Sequence, residues 1–194
     1  FAEVISVTVP GEDGQFGPES NDDWWPRMVM LKALQQYYTA TADRRVPNLM
    51  IRYFAYQYKN LDQQPLSEWA VARAAENMQL ALWLYNLTGK KFLIDLCHKL
   101  RAQALDWTSH FHVFPHTQPM SRMIPWPEMV EKKRAEKGGL RGAEHPYYST
   151  QYHLSHVVNV AMGLKAPGVI SQFKSGSKEL EAFTVGYAKL MRHH

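Results

Sequence analysis

His153 and His156 stand three residues apart, a spacing that puts two imidazoles on one face of a helix, with Asn159 nearby and Gly163 leaving room further along. Such a pair can hydrogen-bond ligand hydroxyls, contribute to a metal site, or be satisfied internally as structural histidines. Zinc requires a third protein ligand, and the spacing supplies none. Arg73 and Glu76 are also three apart, on a track shared with Trp69 and Trp83. They read either as an (i, i+3) ion pair or as groups that hydrogen-bond sugar hydroxyls while an indole stacks on the apolar face of the ring. Trp25 is a further candidate sugar contact.

Other residue types carry weaker signals. His110, His112 and His116 lie in Ser-His-Phe-His-Val-Phe-Pro-His, whose spacing matches no closed structural metal site. Cys97 falls on an apolar stripe with Leu93, Leu96 and Leu100, and no neighbouring His or Asp supplies an obvious activating base, which describes an inert core thiol. Asp22, Asp23 and Glu76 are candidate cavity carboxylates, with Asp22 and Asp23 better suited to capping a helix; no pair is placed at glycosidase spacing by sequence alone.

The elements that must position these groups are helices. Asp22-Asp23 followed by Trp24-Trp25-Pro26 opens a first helix running to Thr41, and a second spans about Val46 to Tyr58. Pro65 and Ser67 open a third, which ends at Gly89, and Phe92 to Trp107 forms a fourth. Tyr148 to about Lys174, bent or ended near Pro167-Gly168, pairs with Lys178 to His194. The expected fold class is all-α, with tandem antiparallel hairpins at about 22–58, 67–107 and 148–194 in a single partial domain over 1–194. An aromatic precedes each hairpin turn, as in Tyr85-Asn86-Leu87-Thr88-Gly89, a degenerate repeat suited to stacked hairpins in a solenoid or ring. The third helix is apolar almost all round, which predicts an interior position and makes Arg73 and Glu76 conspicuous. The proline-rich stretch 108–147 is a long insertion, either a plain surface excursion or a lid, with a short helix expected over Pro127 to Lys137.

Composition narrows the function classes. A hydrophobic share of 45% over 194 residues describes an ordered globular chain. The net charge of +4 is scattered except at Lys132, Lys133, Arg134 and Lys137, so no nucleic-acid face is expected. No stretch is long and apolar enough for a membrane span, and one cysteine excludes an internal disulfide. The chain starts at Phe1 without a methionine and is expected to be an excised piece of a longer parent. The sequence assigns no compartment; a secreted or periplasmic bacterial parent is compatible with it.

Three ordered segments carry a resemblance: Asp22-Asp23-Trp24-Trp25-Pro26-Arg27-Met28-Val29-Met30-Leu31-Lys32-Ala33-Leu34, then Arg73-Ala74-Ala75-Glu76-Asn77 running into Leu82-Trp83-Leu84-Tyr85-Asn86-Leu87-Thr88-Gly89, then His153-Leu154-Ser155-His156-Val157-Val158-Asn159. Together they resemble the β-L-arabinofuranosidase-type glycoside hydrolases of family 127 and its relatives. The resemblance implies an (α/α)6 toroid of six helix pairs, of which three pairs make about half. It implies a retaining exo-glycosidase with a cysteine nucleophile held near zinc by glutamate and further cysteines, and a glutamate as acid/base. In the family these groups lie beyond the segment matching His194, so no catalytic or metal residue is transferred to this chain. Zinc is an expectation for the parent only.

Ser155-His156-Val157 resembles a family motif whose histidine touches sugar, which implies a ligand role for His156. Glu76 stands where some members carry a sugar-facing histidine, which puts arabinofuranose specificity in question. The expected partner is a plant-type glycan or glycoside, bound by Trp25, Arg73, Glu76, His153 and His156, with self-association or the missing half of the toroid covering the open flank. The segment alone is expected to be inactive. The competing readings are a non-catalytic helical-repeat module that binds carbohydrate or protein, and another (α/α)6 enzyme such as an unsaturated-uronide hydrolase or polysaccharide lyase.

Overall fold

The computed structural model describes Gly14, Phe16, residues 23–115, Thr117 and residues 150–193. Among these residues there are nine helices and no strand. Helices α1 (Trp25–Thr41), α2 (Arg45–Asn60), α3 (Glu68–Thr88) and α4 (Phe92–Gln103) belong to a first compact unit, Phe1–Ala104. Helices α5 (Trp107–Val113), α6 (Thr150–Ser155), α7 (Val157–Gly163), α8 (Ala166–Ile170) and α9 (Lys178–His193) belong to a second, Leu105–His194. Asp22, His116, the expected helix over Pro127 to Lys137, most of the 108–147 insertion, Tyr148 and His194 lie outside the described residues.

In the first unit the chain makes two antiparallel hairpins. Pro26 sits in the first turn of α1, where its missing N–H costs nothing. The helix ends on Ala42 in the left-handed region at φ 55°, a conformation that costs a non-glycine residue about 1 kcal/mol or more. The hairpin turn is held by Arg45, whose guanidinium bonds Asp43 at 2.6 Å and keeps that partly covered carboxyl low, at about 2. Gly89, at φ 69°, caps α3 by donating to Tyr85 O at 2.7 Å, the stop expected from the sequence. Gln103 ties down the α2–α3 connection: its Oε1 accepts from Leu66 N at 2.8 Å, and its Nε2 donates to Leu61 O at 3.3 Å.

α3 is packed between α1 and α4. Ala70, Ala72, Ala74, Ala75 and Ala81 are all buried along it, and such small side chains let neighbouring helices approach. Leu80 and Leu84 are fully buried. Against them lie Met28, Leu31 and Leu34 of α1 and Leu93, Leu96, Cys97 and Leu100 of α4, all essentially inaccessible to solvent. The core of α2 is aromatic: Tyr53 and Phe54 are fully buried, and the Phe16 ring lies 4.4 Å from that of Tyr53.

The second unit corrects two expected boundaries. The fourth helix stops at Gln103, because Ala104 turns extended and Asp106 begins a new helix. The Asp106 carboxylate accepts from Ser109 N at 3.0 Å and from Ser109 Oγ at 2.6 Å, a cap more favourable than an aspartate in a helix interior. The expected long helix from Tyr148 to Lys174 is three short ones. His156 is extended at ψ 119° and starts α7, and Pro167 lies in the first turn of α8, opening that helix where a bend was expected.

Trp107 and Phe111 stack at 5.7 Å in the centre of this unit, and each faces a glycine. The Trp107 ring lies against Gly163 of α7 and the Phe111 ring against Gly186 of α9, so both helices approach more closely than any side chain would permit. Glu179 is buried at the start of α9 and ion-paired to Lys174 Nζ at 2.7 Å. No helix among the described residues is long and apolar enough to cross a membrane.

Candidate sugar-binding surface

One face of α3 escapes full burial. Trp69, Arg73, Glu76 and Trp83, the track picked out in the sequence, are all partly exposed, while the alanines and leucines around them are buried. The expected burial of the Arg73 and Glu76 charges is therefore corrected: both lie at the edge of the core, within reach of water. The Arg73 guanidinium packs 4.4 Å from the Trp25 ring centre and 4.5 Å from that of Trp69, two cation–π contacts worth about 1 kcal/mol each at half-exposed positions. Three planar groups are thereby fixed in place, two of them indoles. Further along the track, Trp83 meets Tyr38 of α1 edge to face at 5.5 Å. Glu76 follows Arg73 on the same helix, one turn nearer Trp83.

Asp23 joins the two helices that carry these rings. Its Oδ1 accepts from Trp25 N at 2.9 Å and from Ala70 N at 3.2 Å, so a single buried carboxylate satisfies first-turn donors of both α1 and α3. Ser67, which precedes α3, provides no side-chain cap, and Asp23 fills that role from another helix. Burial pushes the Asp23 carboxyl above its usual value, opposed by the N–H groups of Trp25, Ala70 and Trp69 and by the Arg73 charge. Next to it, Glu68 takes a left-handed φ of 46°, and its carboxyl is also raised, by burial and by the Asp23 charge. The sequence marked Asp23 as a cap for its own helix; its hold on α3, 47 residues away, carried no local signal.

A carboxyl that titrates above its unfolded value of 3.8 retains in the folded state a proton the unfolded chain has released. Asp23 therefore lowers stability as pH rises from 3.8 through its folded pKa, and that loss is regained on acidification over the same window. Asp23→Asn keeps the accepting oxygen and removes the charge. Its thermal midpoint should depend less on pH across this window than that of the parent. Calorimetric scans between pH 3.5 and 7 with equal slopes for the two proteins would contradict this role.

His153 and His156 belong to the second unit. They do not share one helical face: His153 is in α6, while His156 is the residue before α7 and its Nδ1 accepts from Asn159 N at 3.4 Å. His153 is buried, and Asn159 Nδ2 lies 3.1 Å from its Nδ1, which leaves the ring proton on Nε2 when the amide donates. Tyr152 bridges the pair, with ring centres 5.7 Å from His153 and 5.4 Å from His156. His153 is thus the more constrained of the two and His156 the more accessible, being only partly buried.

The remaining candidates have structural occupations. His110 lies edge-on to Trp107 at 5.2 Å, and His112 Nε2 donates to Lys178 O at 3.1 Å. Cys97 is fully buried, its thiol donates to Met78 O at 3.6 Å, and burial pushes its pKa up to about 12. A neutral, buried thiol suits neither a nucleophile nor a zinc ligand. Among the described residues no three His, Cys, Asp or Glu side chains come together as a metal site. The described residues therefore bring together no donor set that fits the zinc centre the resemblance implies for the parent.

An all-helical chain with paired indoles beside a guanidinium and a carboxylate is consistent with the catalytic domains of helical glycoside hydrolases. The family model for the beta-L-arabinofuranosidase GH127 catalytic domain matches residues 4–152, and the chain belongs to that glycoside hydrolase family. No curated protein and no solved structure matches the chain.

Proposed function

We propose that this chain forms part of the sugar pocket of a retaining exo-glycosidase acting on β-L-arabinofuranosides of plant-type glycans. The observation that carries the reading is the Trp25–Arg73–Trp69 assembly on the partly open face of α3, in a chain of this family. Indole faces take the apolar side of a sugar ring, and Arg73 and Glu76 offer a donor and an acceptor for its hydroxyls. Within the second unit, and independently of the α3 face, His156 is assigned a polar contact to a sugar hydroxyl, with His153 held beside it through Asn159 and Tyr152. The reading routes no chemical step through Cys97 or through zinc, and hydrolysis by this chain alone is not expected.

Calorimetric titration of the 194-residue chain with a β-L-arabinofuranosyl disaccharide tests this. Trp25→Ala and Arg73→Ala are each expected to weaken binding by about tenfold or more, equivalent to about 1.4 kcal/mol. Unchanged affinity in both variants would remove α3 from the sugar site. Enzyme-like turnover of an aryl β-L-arabinofuranoside by the chain would overturn the assignment of its chemistry elsewhere.

The same partly open face of α3 also suits a second reading, a helical-repeat carbohydrate-binding module without chemistry. Such a module holds internal stretches of a glycan, so it should prefer long polysaccharides to the terminal disaccharide, whereas a fragment of an exo pocket shows the opposite preference.

A further inference from the structure

α3 is apolar nearly all round, so burial alone does little to fix which way the helix turns. Leu80 and Leu84 stand roughly opposite Met78 and Leu82, and all four are buried. Ala70, Ala74, Asn77 and Ala81 form a further buried stripe, because spacings of four, three and four residues keep them within about 60° of arc on a helix. Alanine side chains are too short to interlock with a neighbour, and Asn77 is the residue of this stripe that reaches across to another helix.

Asn77 Nδ2 donates to Gln57 Oε1 of α2 at 2.6 Å, and both side chains are fully buried. Gln57 is equally out of pattern, since the buried side of α2 is otherwise Val46, Leu49, Met50, Tyr53 and Phe54. The bond leaves Gln57 Nε2 and Asn77 Oδ1 without a hydrogen-bond partner among the described residues, so the two amides are buried at a net cost to stability. In coiled coils a single buried amide selects one register and lowers stability. The alignment selected here bears on the candidate sugar surface, because Asn77 follows Arg73 by four residues and Glu76 by one. Turning α3 by one residue, about 100°, would carry the Arg73 guanidinium off the Trp25 ring of α1.

We propose that Gln57 and Asn77 are the positioning pair of this surface, their mutual bond holding α3 in the rotation that seats Arg73 on the Trp25 indole and keeps Glu76 on the partly open face. The consequence for ligand rests on the sugar-binding reading of that face; the alignment of the helices does not.

Proton NMR of the ligand-free 194-residue chain reads the alignment directly, through nuclear Overhauser contacts between the Arg73 side chain and the Trp25 ring. Calorimetric titration with the β-L-arabinofuranosyl disaccharide reads its consequence. Gln57→Met combined with Asn77→Ala keeps close to the volume of the pair and continues the alanine stripe. Its thermal midpoint should lie at or above the parent's, because two orphaned polar atoms are removed. The same variant should lose the Arg73–Trp25 contacts and bind the disaccharide about tenfold more weakly. A pair that merely held the unit together would instead move stability and affinity in the same direction. The exchanged pair, Gln57→Asn with Asn77→Gln, retains two amides and should restore both the contacts and the affinity. Parental Arg73–Trp25 contacts in the apolar variant, a midpoint below the parent's, or an exchanged pair that behaves like the apolar one would overturn the proposal. A parent that shows the contacts but binds no sugar would overturn the sugar-binding reading alone, and the contacts would still decide the role of the pair.

Discussion

Trp24→Ala should destabilise the first unit by about 4 kcal/mol, a large part of the stability of a typical domain. Trp24 is 2% exposed, and its Nε1 donates to Gln64 O at 2.9 Å. Its ring packs near Tyr53 at 6.5 Å and Tyr56 at 6.2 Å, with the Arg27 guanidinium 5.4 Å away. Truncation leaves a cavity lined by aromatic rings that are themselves anchored, so collapse into it is limited, and it strips Gln64 O of its donor. The neighbouring Trp25, half-exposed on the α3 side, should cost under about 1 kcal/mol when replaced, which is typical of a partly open position. Urea unfolding of the two variants side by side measures the contrast. Equal losses would mean that Trp25 is a core residue, and the sugar-stacking role assigned to it would fail.

Gly163→Ala should cost the second unit about 3 kcal/mol through overpacking. A Cβ at position 163 would lie 2.5 Å from both Cδ2 and Cε2 of Trp107, far inside van der Waals contact. The indole cannot swing clear, because it stacks on Phe111, whose own ring presses on Gly186, where a Cβ would come within 2.8 Å. Gly168→Ala is the matched control: a Cβ there meets nothing within 4 Å, and alanine is the better helix former, so that variant should be neutral or slightly more stable. Gly163→Ala combined with Trp107→Leu should recover part of the loss, since the smaller side chain relieves the clash and the two effects do not add. Thermal unfolding of the four proteins checks the set, and a Gly163→Ala midpoint equal to that of Gly168→Ala would show that the Trp107 contact is not held.

How far the candidate site could be read from sequence differs residue by residue. Trp69, Arg73, Glu76 and Trp83 were placed on one track by helical spacing, and they do share the partly open face of α3, because the period of a long helix is set by its own backbone hydrogen bonds. His153 and His156 were placed on one face by the same arithmetic, and there it failed. His156 leaves the helical conformation, which ends α6 and starts α7, and periodicity holds only within an unbroken helix.

Family membership and the all-helical class were legible because many weak local signals agreed: caps, glycine stops and apolar stripes that each act over a few residues. Helices α1 to α3 fall close to their expected boundaries for the same reason. What required tertiary structure was every relationship between residues distant in the chain. Asp23 holds the start of α3 as well as that of α1, Arg73 finds Trp25 as well as Trp69, and Gly163 is vacant for the sake of Trp107. Adjacent Trp24 and Trp25 are alike in sequence and opposite in burial. Local propensity sets which backbone forms a helix; which side of that helix meets protein and which stays open is decided by the packing of its neighbours.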